Sequence, residues 1–192
     1  MKRLIILAGA NGAGKTTFAQ EFLKEHEIKF LNADEIALKA SKDKINIAKN
    51  RITSGKIFIR ELRDLLKNKK SVAIESTLSG SYLVKTIKKV RKSGYRVSII
   101  YVFIDSPIVA FERIKARVKA GGHDVPEKDV LRRFYRSKKN FWDIYKTIAD
   151  EWTVFYNGIE KLVPVATGER NKFVISDEKL FELLIKGIKN DQ

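Results

Sequence analysis

The sequence predicts a three-layer α/β domain with a mostly parallel sheet, and three observations predict it. Short apolar and β-branched runs alternate with stretches of helical periodicity, the connections between them are short, and one strand-to-helix junction near the start carries a glycine-rich pattern. That junction is Gly9-Ala10-Asn11-Gly12-Ala13-Gly14-Lys15-Thr16, which satisfies G-x-x-x-x-G-K-[ST], the P-loop spacing. A buried-strand run from Leu4 to Ala8 precedes it and an amphipathic helix follows it, the context this motif requires. No linker, internal repeat or low-complexity stretch interrupts the pattern, so residues 1–192 are read as a single P-loop domain.

The elements follow in order. Thr17 to Glu25 carries Phe18, Phe22 and Leu23 at helical spacing, and Ile28 to Leu31 reads as a short strand ending in Asn32-Ala33-Asp34-Glu35. Helical pattern fills Ile45 to Leu66, with Gly55 expected as a joint. Val72 to Ile74 is a β-rich run closed by Glu75-Ser76-Thr77, and a helix over Leu83 to Val90 stops at Ser93-Gly94. Arg96 to Ile104 is the longest β-branched stretch and reads as a central strand. Asp105-Ser106-Pro107 starts a helix bearing Arg113 and Arg117; Gly121-Gly122-His123-Asp124-Val125-Pro126 is a loop; a long helix then runs from about Glu127 to Ala149. Its wheel sets Val130, Phe134, Phe141, Tyr145 and Ile148 on one face and Arg132, Arg133, Arg136 and Asn140 on the other. Strand signals at Trp152 to Tyr156 and Phe173 to Ile175 and a helix from Glu178 to Ile188 complete the reading.

Composition bounds the function. The absence of cysteine excludes disulfides, thiolate metal sites and cysteine nucleophiles, and fits a cytoplasmic location. No run approaches the ~18 apolar residues of a membrane span, and the first apolar run stops at Ala8, too short for a secretory core. With 39 Lys and Arg against 23 Asp and Glu the net charge is +16, which calls for an anionic partner: nucleotide, nucleic acid or acidic protein.

The chemistry follows from what a P-loop does. Its glycines let successive N–H groups turn inward, so residues Gly9, Ala10, Asn11, Gly12, Ala13, Gly14, Lys15, Thr16 and Thr17 are expected to cradle the phosphates of ATP (or GTP). Lys15 would reach the β/γ-phosphates and Thr16 would ligate Mg²⁺. No Asn-Lys-x-Asp guanine-reading sequence occurs. Asp34 and Glu75 close strands expected beside the P-loop strand; Asp34 is assigned as the base for an acceptor hydroxyl, Glu75 as an acceptor or metal-water ligand. The bland reading of Asp34 is a cap on a helix starting near Glu35. Arg117, Arg132, Arg133 and Arg136 flank the 121–126 loop as an arginine-bearing lid over about 118–140 requires, with Arg117, Arg133 and Arg136 taken as catalytic. His123 and Asp124 are candidates for shaping that lid.

Residues 9–19, Asn-Ala-Asp-Glu-Ile-Ala (32–37), Glu-Ser-Thr-Leu-Ser-Gly (75–80) and Gly-Gly-His-Asp-Val-Pro-Glu (121–127), followed by Arg-Arg-Phe-Tyr-Arg-Ser and Asn140, together resemble the zeta-toxin-like P-loop kinases, in the small branch often labelled predicted ABC-type ATPases or kinases. The resemblance implies a nucleoside-kinase-like fold, ATP (or GTP) with Mg²⁺ as donor system, and a small-molecule hydroxyl acceptor, a UDP-activated amino sugar in the larger members. It implies an antitoxin protein that blocks the nucleotide site, with Asp34 matching the family's base and Glu75 its acceptor-binding acid. Arg113 and Arg117 also resemble the Arg-Ile-x-x-Arg helix of adenylate-kinase-like enzymes, where the first arginine packs on adenine and the second touches phosphate.

The function predicted is therefore a small-molecule kinase with an alcohol acceptor, the toxin of a toxin–antitoxin pair. Two alternatives come with it. One is a nucleic-acid-binding protein or polynucleotide 5′-kinase, using Phe134-Tyr135-Arg136 and Phe141-Trp142 as stacking aromatics; the other is a non-catalytic, nucleotide-dependent regulator.

Overall fold

A computed structural model of the chain describes residues 1–24, 28–40, 47–122, 124–158 and 161–189. The expectations for Glu25, Ile45 and His123 lie outside the described residues. One seven-stranded sheet runs through the domain in the order β2-β3-β1-β4-β5-β6-β7. The strands are β1 (Arg3–Ala8), β2 (Lys29–Leu31), β3 (Val72–Ser76), β4 (Arg96–Phe103), β5 (Glu151–Asn157), β6 (Leu162–Glu169) and β7 (Lys172–Ile175). The first five pair in parallel, whereas β5–β6 and β6–β7 are antiparallel.

Parallel strands covered on both faces must be apolar at successive positions, and β1 and β4 are. Leu4, Ile6 and Ala8 of β1 join Val97, Ile99, Tyr101 and Phe103 of β4 on one face. On that face lie α3 (Ile47–Lys67) through Phe58 and Leu62, α4 (Tyr82–Lys92) through Leu83, Ile87 and Val90, and α8 (Glu178–Lys189) through Leu184 and Ile188. Ile5 and Leu7 face the other way, onto Ala19, Phe18 and Phe22 of α1 (Lys15–Lys24). Val102 and Ile104 pack there against α5 (Pro107–Lys119) and α6 (Glu127–Asn140). The remaining helix before the midpoint is α2 (Ala33–Ala40).

Three expectations change. Gly55 does not end the helix: α3 continues through it, since a single glycine weakens a helix without having to break it. β6 was not anticipated, since Pro164, Thr167 and Gly168 break its β-signal. The sheet absorbs the proline at a bulge, where pairing slips between Val154/Phe155 and Ala166/Pro164. The helix expected over residues 127–149 is interrupted by a π-helical turn at Phe141–Tyr145 before the short α7 (Lys146–Ile148). The aromatics considered for stacking on bases belong to the interior: Phe134 and Phe141 are buried, and Trp142 packs edge-on to Trp152, Phe173 and Phe181. Among the described residues no helix is long and apolar enough to cross a membrane.

The same helix buries a cation. Lys138 is 2% exposed, with its ammonium 4.7 Å from the Phe134 ring centroid and 5.3 Å from that of Phe103. Gly187 of α8 leaves the room, since a Cβ there would come within 2.9 Å of Lys138 Nζ. Burial pushes Lys138 down to about 8, against the opposing pull of Asp105. A lysine depressed on folding binds fewer protons in the native than in the unfolded chain, so it makes stability rise with pH between about 8 and 10.5. Urea denaturation at pH 7 and pH 10 should therefore show a gain in the native protein that Lys138→Met lacks, the variant being the more stable at pH 7 by about 1–3 kcal/mol.

Candidate active site

The chain leaves β1 and reverses the strand order there, with β3 on one side and β4 on the other, so a crevice opens at the carboxyl ends of the strands. The P-loop fills it. Gly9 has φ +139 and Gly12 φ +78, and a Cβ at either would run into backbone, 2.1 Å from the Val102 carbonyl oxygen and 2.8 Å from that of Ala110. Ala13 closes a turn onto the Ala10 carbonyl at 3.2 Å, and the Phe18 amide makes the first helical bond to Gly14 at 3.1 Å. The amides of Lys15, Thr16 and Thr17 thus stand at the open N-terminus of α1, the positive end of its dipole. Asn11 is buried, and its Oδ1 has no hydrogen-bond partner.

Around this loop lies a cavity of about 360 Å³, lined by Asn11, Lys15, Thr16, Asp34, Glu75, Arg113, Arg117 and Asn157 among others. It is ligand-sized and polar. Glu75 lines it from β3 itself and not from the turn after it. Its carboxylate accepts from the Thr16 hydroxyl at 2.8 Å and from Asn32 Nδ2 at 2.9 Å, and lies 3.5 Å from Lys15 Nζ. Lys15 is 5% exposed and also donates to the Ala10 carbonyl at 2.9 Å. Thr16 and Glu75 are thus the pair that could hold a divalent cation against a phosphate.

Asp34 does not cap α2. That role falls to Asn32, whose Oδ1 accepts from the Asp34 amide at 2.8 Å while its carbonyl accepts from Ile36. Asn32 therefore caps a helix with one end of its amide and holds Glu75 with the other, leaving the exposed Asp34 side chain on the cavity wall.

The arginines divide into two groups. Arg117 and Arg113 line the cavity from α5, and Arg113 donates to the carbonyls of Asn157 at 3.2 Å and Gly158 at 2.7 Å. Arg132, Arg133 and Arg136 lie on α6, outside the cavity lining; Arg132 and Arg133 reach Asp129 at 2.8 and 3.6 Å. Asn140, placed with them on the face opposite the apolar one, donates to the Leu78 carbonyl at 2.8 Å. Asn157 is the residue sequence reading passed over. Its Nδ2 donates to the Ala13 carbonyl at 2.9 Å and so ties the end of β5 to the P-loop across 144 residues, a link no local pattern announces.

Alanine at Gly12 would add backbone collision to a left-handed φ, worth about 1–2 kcal/mol in strain alone. Gly12→Ala should fold, as judged by circular dichroism, and bind a fluorescent ATP analogue about tenfold or more weakly in a titration.

The AAA_33 family (AAA domain) matches residues 4–139. An uncharacterized protein of Haemophilus influenzae is 30% identical over 132 residues, covering 69% of this chain and 92% of that one. Among solved structures, the AvrRxo1-ORF1:-ORF2 complex with ATP superposes with a TM-score of 0.76 at 19% identity, over 96% of this chain and 63% of that chain. The chain thus spans less than two thirds of that protein. The PezAT chromosomal toxin–antitoxin system of Streptococcus pneumoniae superposes with a TM-score of 0.64 at 17% identity, over 100% of this chain and 80% of that one. The chain belongs to the AAA_33 family of P-loop domains and shares its fold with the PezAT toxin–antitoxin system.

Proposed function

We propose that this domain is a small-molecule kinase that moves the γ-phosphoryl group of ATP to an acceptor hydroxyl. The observation that carries the reading is the position of Glu75, bonded at once to the P-loop Thr16 and to Asn32, beside an Asp34 released from helix capping. A P-loop that only bound nucleotide would have no need of a free carboxylate on the acceptor side of the cavity.

In this reading the acceptor oxygen attacks the γ-phosphorus, the bond from that phosphorus to the ADP oxygen breaks, and the acceptor proton passes to Asp34. Lys15 and the amides of the P-loop hold the β- and γ-phosphates, and Arg117 meets the charge that spreads over the transferred group. Thr16 and Glu75 would hold Mg²⁺, which when bound neutralises phosphate charge. Arg113, fixed by the carbonyls of Asn157 and Gly158, would form the wall for the base. For Arg133 or Arg136 to act, α6 would have to close over the cavity. The fold likeness to a toxin–antitoxin system supports the toxin reading, with a UDP-activated amino sugar as the first acceptor to try. The charge of +16 supports an acidic antitoxin as partner.

The test is transfer of labelled γ-phosphate from ATP to a metabolite pool containing UDP-sugars and nucleosides, and to RNA ends. Wild type should label a small molecule, and Asp34→Asn should lower that rate by about 10²–10⁴ while binding ATP within a few-fold of wild type. Label on RNA ends alone would replace the acceptor class, and ATP binding with no transfer would leave a nucleotide-dependent regulator.

A further inference from the structure

β3 ends at Ser76, and the chain passes through residues 77–81 before α4 begins at Tyr82. This loop continues from Glu75 on the β2 side of the P-loop, away from the α5 side where Arg113 and Asn157 stand. Its backbone is strained: Leu78 is a fully buried non-glycine residue with φ +52. Ser76 Oγ accepts from the Leu78 amide at 3.1 Å, and the hydroxyls of Thr77 and Ser79 lie 2.9 Å apart. Such a conformation persists only where its surroundings hold it.

Two side chains, one at the end of α6 and one in the π-helical turn after it, supply that hold. Asn140 Nδ2 donates to the Leu78 carbonyl at 2.8 Å, and the Tyr145 hydroxyl donates to the Gly80 carbonyl. Both loop carbonyls are satisfied by residues more than 60 positions away in sequence. Burial, with Tyr82 nearby, pushes the Tyr145 hydroxyl up to about 12, so it stays a donor throughout the physiological range.

The spacing of the two clamps is the telling feature. In an α-helix, residues five apart point roughly 140° from each other. Here the Lys146 amide bonds to the Phe141 carbonyl, five residues back, in place of the usual four. A turn closed by i→i+5 bonds returns residues five apart to nearly one face. Phe141 and Tyr145 are both fully buried, and Phe141 stacks on Tyr101 of β4 at 4.2 Å, which locks the widened turn to the sheet.

We propose that the π-helical turn at Phe141–Tyr145 is a clamp: it brings Asn140 and Tyr145 to bear together on the loop after Glu75, and these two positioning residues set the acceptor side of the cavity. The clamp follows directly in the chain on α6, which carries Arg132, Arg133 and Arg136. Its catalytic consequence rests on the kinase reading; its structural half does not.

The experiment uses the full chain as wild type, Asn140→Asp, Asn140→Ala and Tyr145→Phe. Asparagine and aspartate have the same shape, so packing alone would treat Asn140→Asp as silent, whereas a carboxylate facing the Leu78 carbonyl loses the donor. Amide hydrogen exchange by mass spectrometry should rise about tenfold or more over residues 77–81 in Asn140→Asp and Tyr145→Phe. Exchange over the P-loop and the affinity for a fluorescent ATP analogue should stay within about twofold. With a UDP-activated amino sugar as probe acceptor, its KM should rise about tenfold while KM for ATP holds, kcat falling by less than the acceptor KM rises. Loop exchange that is unchanged in both variants overturns the proposal, as does exchange that rises equally in the P-loop. Faster loop exchange with an unaltered acceptor KM overturns the positioning role. If wild type phosphorylates no acceptor, the kinase reading is what has failed, and the exchange and nucleotide arms still decide the clamp.

Discussion

A single carboxylate organises the crevice. Glu75 holds the Thr16 hydroxyl, the Asn32 amide and the Lys15 ammonium together, two groups from the start of α1 and one from the junction of β2 and α2. A largely buried lysine and a half-buried glutamate each cost desolvation energy alone, and together they offset it. Because Glu75 is in the strand next to β1, its position is set by the register of the sheet, where it pairs with Leu7. The sheet therefore fixes the site with the precision of its own hydrogen bonds, and the P-loop is held to it at the Lys15 and Thr16 end.

Asn32 shows how few residues this takes. One amide group caps α2 with its oxygen and holds Glu75 with its nitrogen, so the start of a helix and the wall of the crevice are joined by one side chain. On the opposite flank Asn157 does the same for the P-loop carbonyl at Ala13, and its own carbonyl receives Arg113. The phosphate cradle is thereby braced from the β2 side and from the β5 side. Each brace is a side-chain amide, able to donate and accept without adding charge beside a site built for an anion.

The helical stretch from α6 through the π-turn carries three kinds of work along its length. Its first turns bear arginines engaged with Asp129, its middle buries Lys138 among aromatic rings, and its π-turn reaches back to the loop after β3. A regular helix could not present Asn140 and Tyr145 to the same loop. The widened turn is the deviation from regularity that joins the two halves of the domain on this face.

The P-loop, the parallel βα order and the places of Lys15, Thr16, Asp34, Glu75 and Arg117 are legible in the chain itself. They rest on local rules: glycine spacing, apolar runs buried on both faces, and polar residues at strand ends. The tertiary structure alone decided which group caps α2, because Asn32 and Asp34 are both good caps and only the reach to Glu75 favours one. It alone placed β6, whose proline is tolerated beside a bulge in β6 itself, and buried Lys138, whose slot is cut by a glycine some fifty residues on. It turned Asn140 from a member of the arginine face into a partner of the Leu78 carbonyl, since a helical wheel drawn at a constant angle cannot foresee a π-turn. Periodicity reads what neighbours in sequence do to one another; pairings between residues far apart in the chain are settled by packing, and Glu75, Asn140 and Asn157 owe their roles to such pairings.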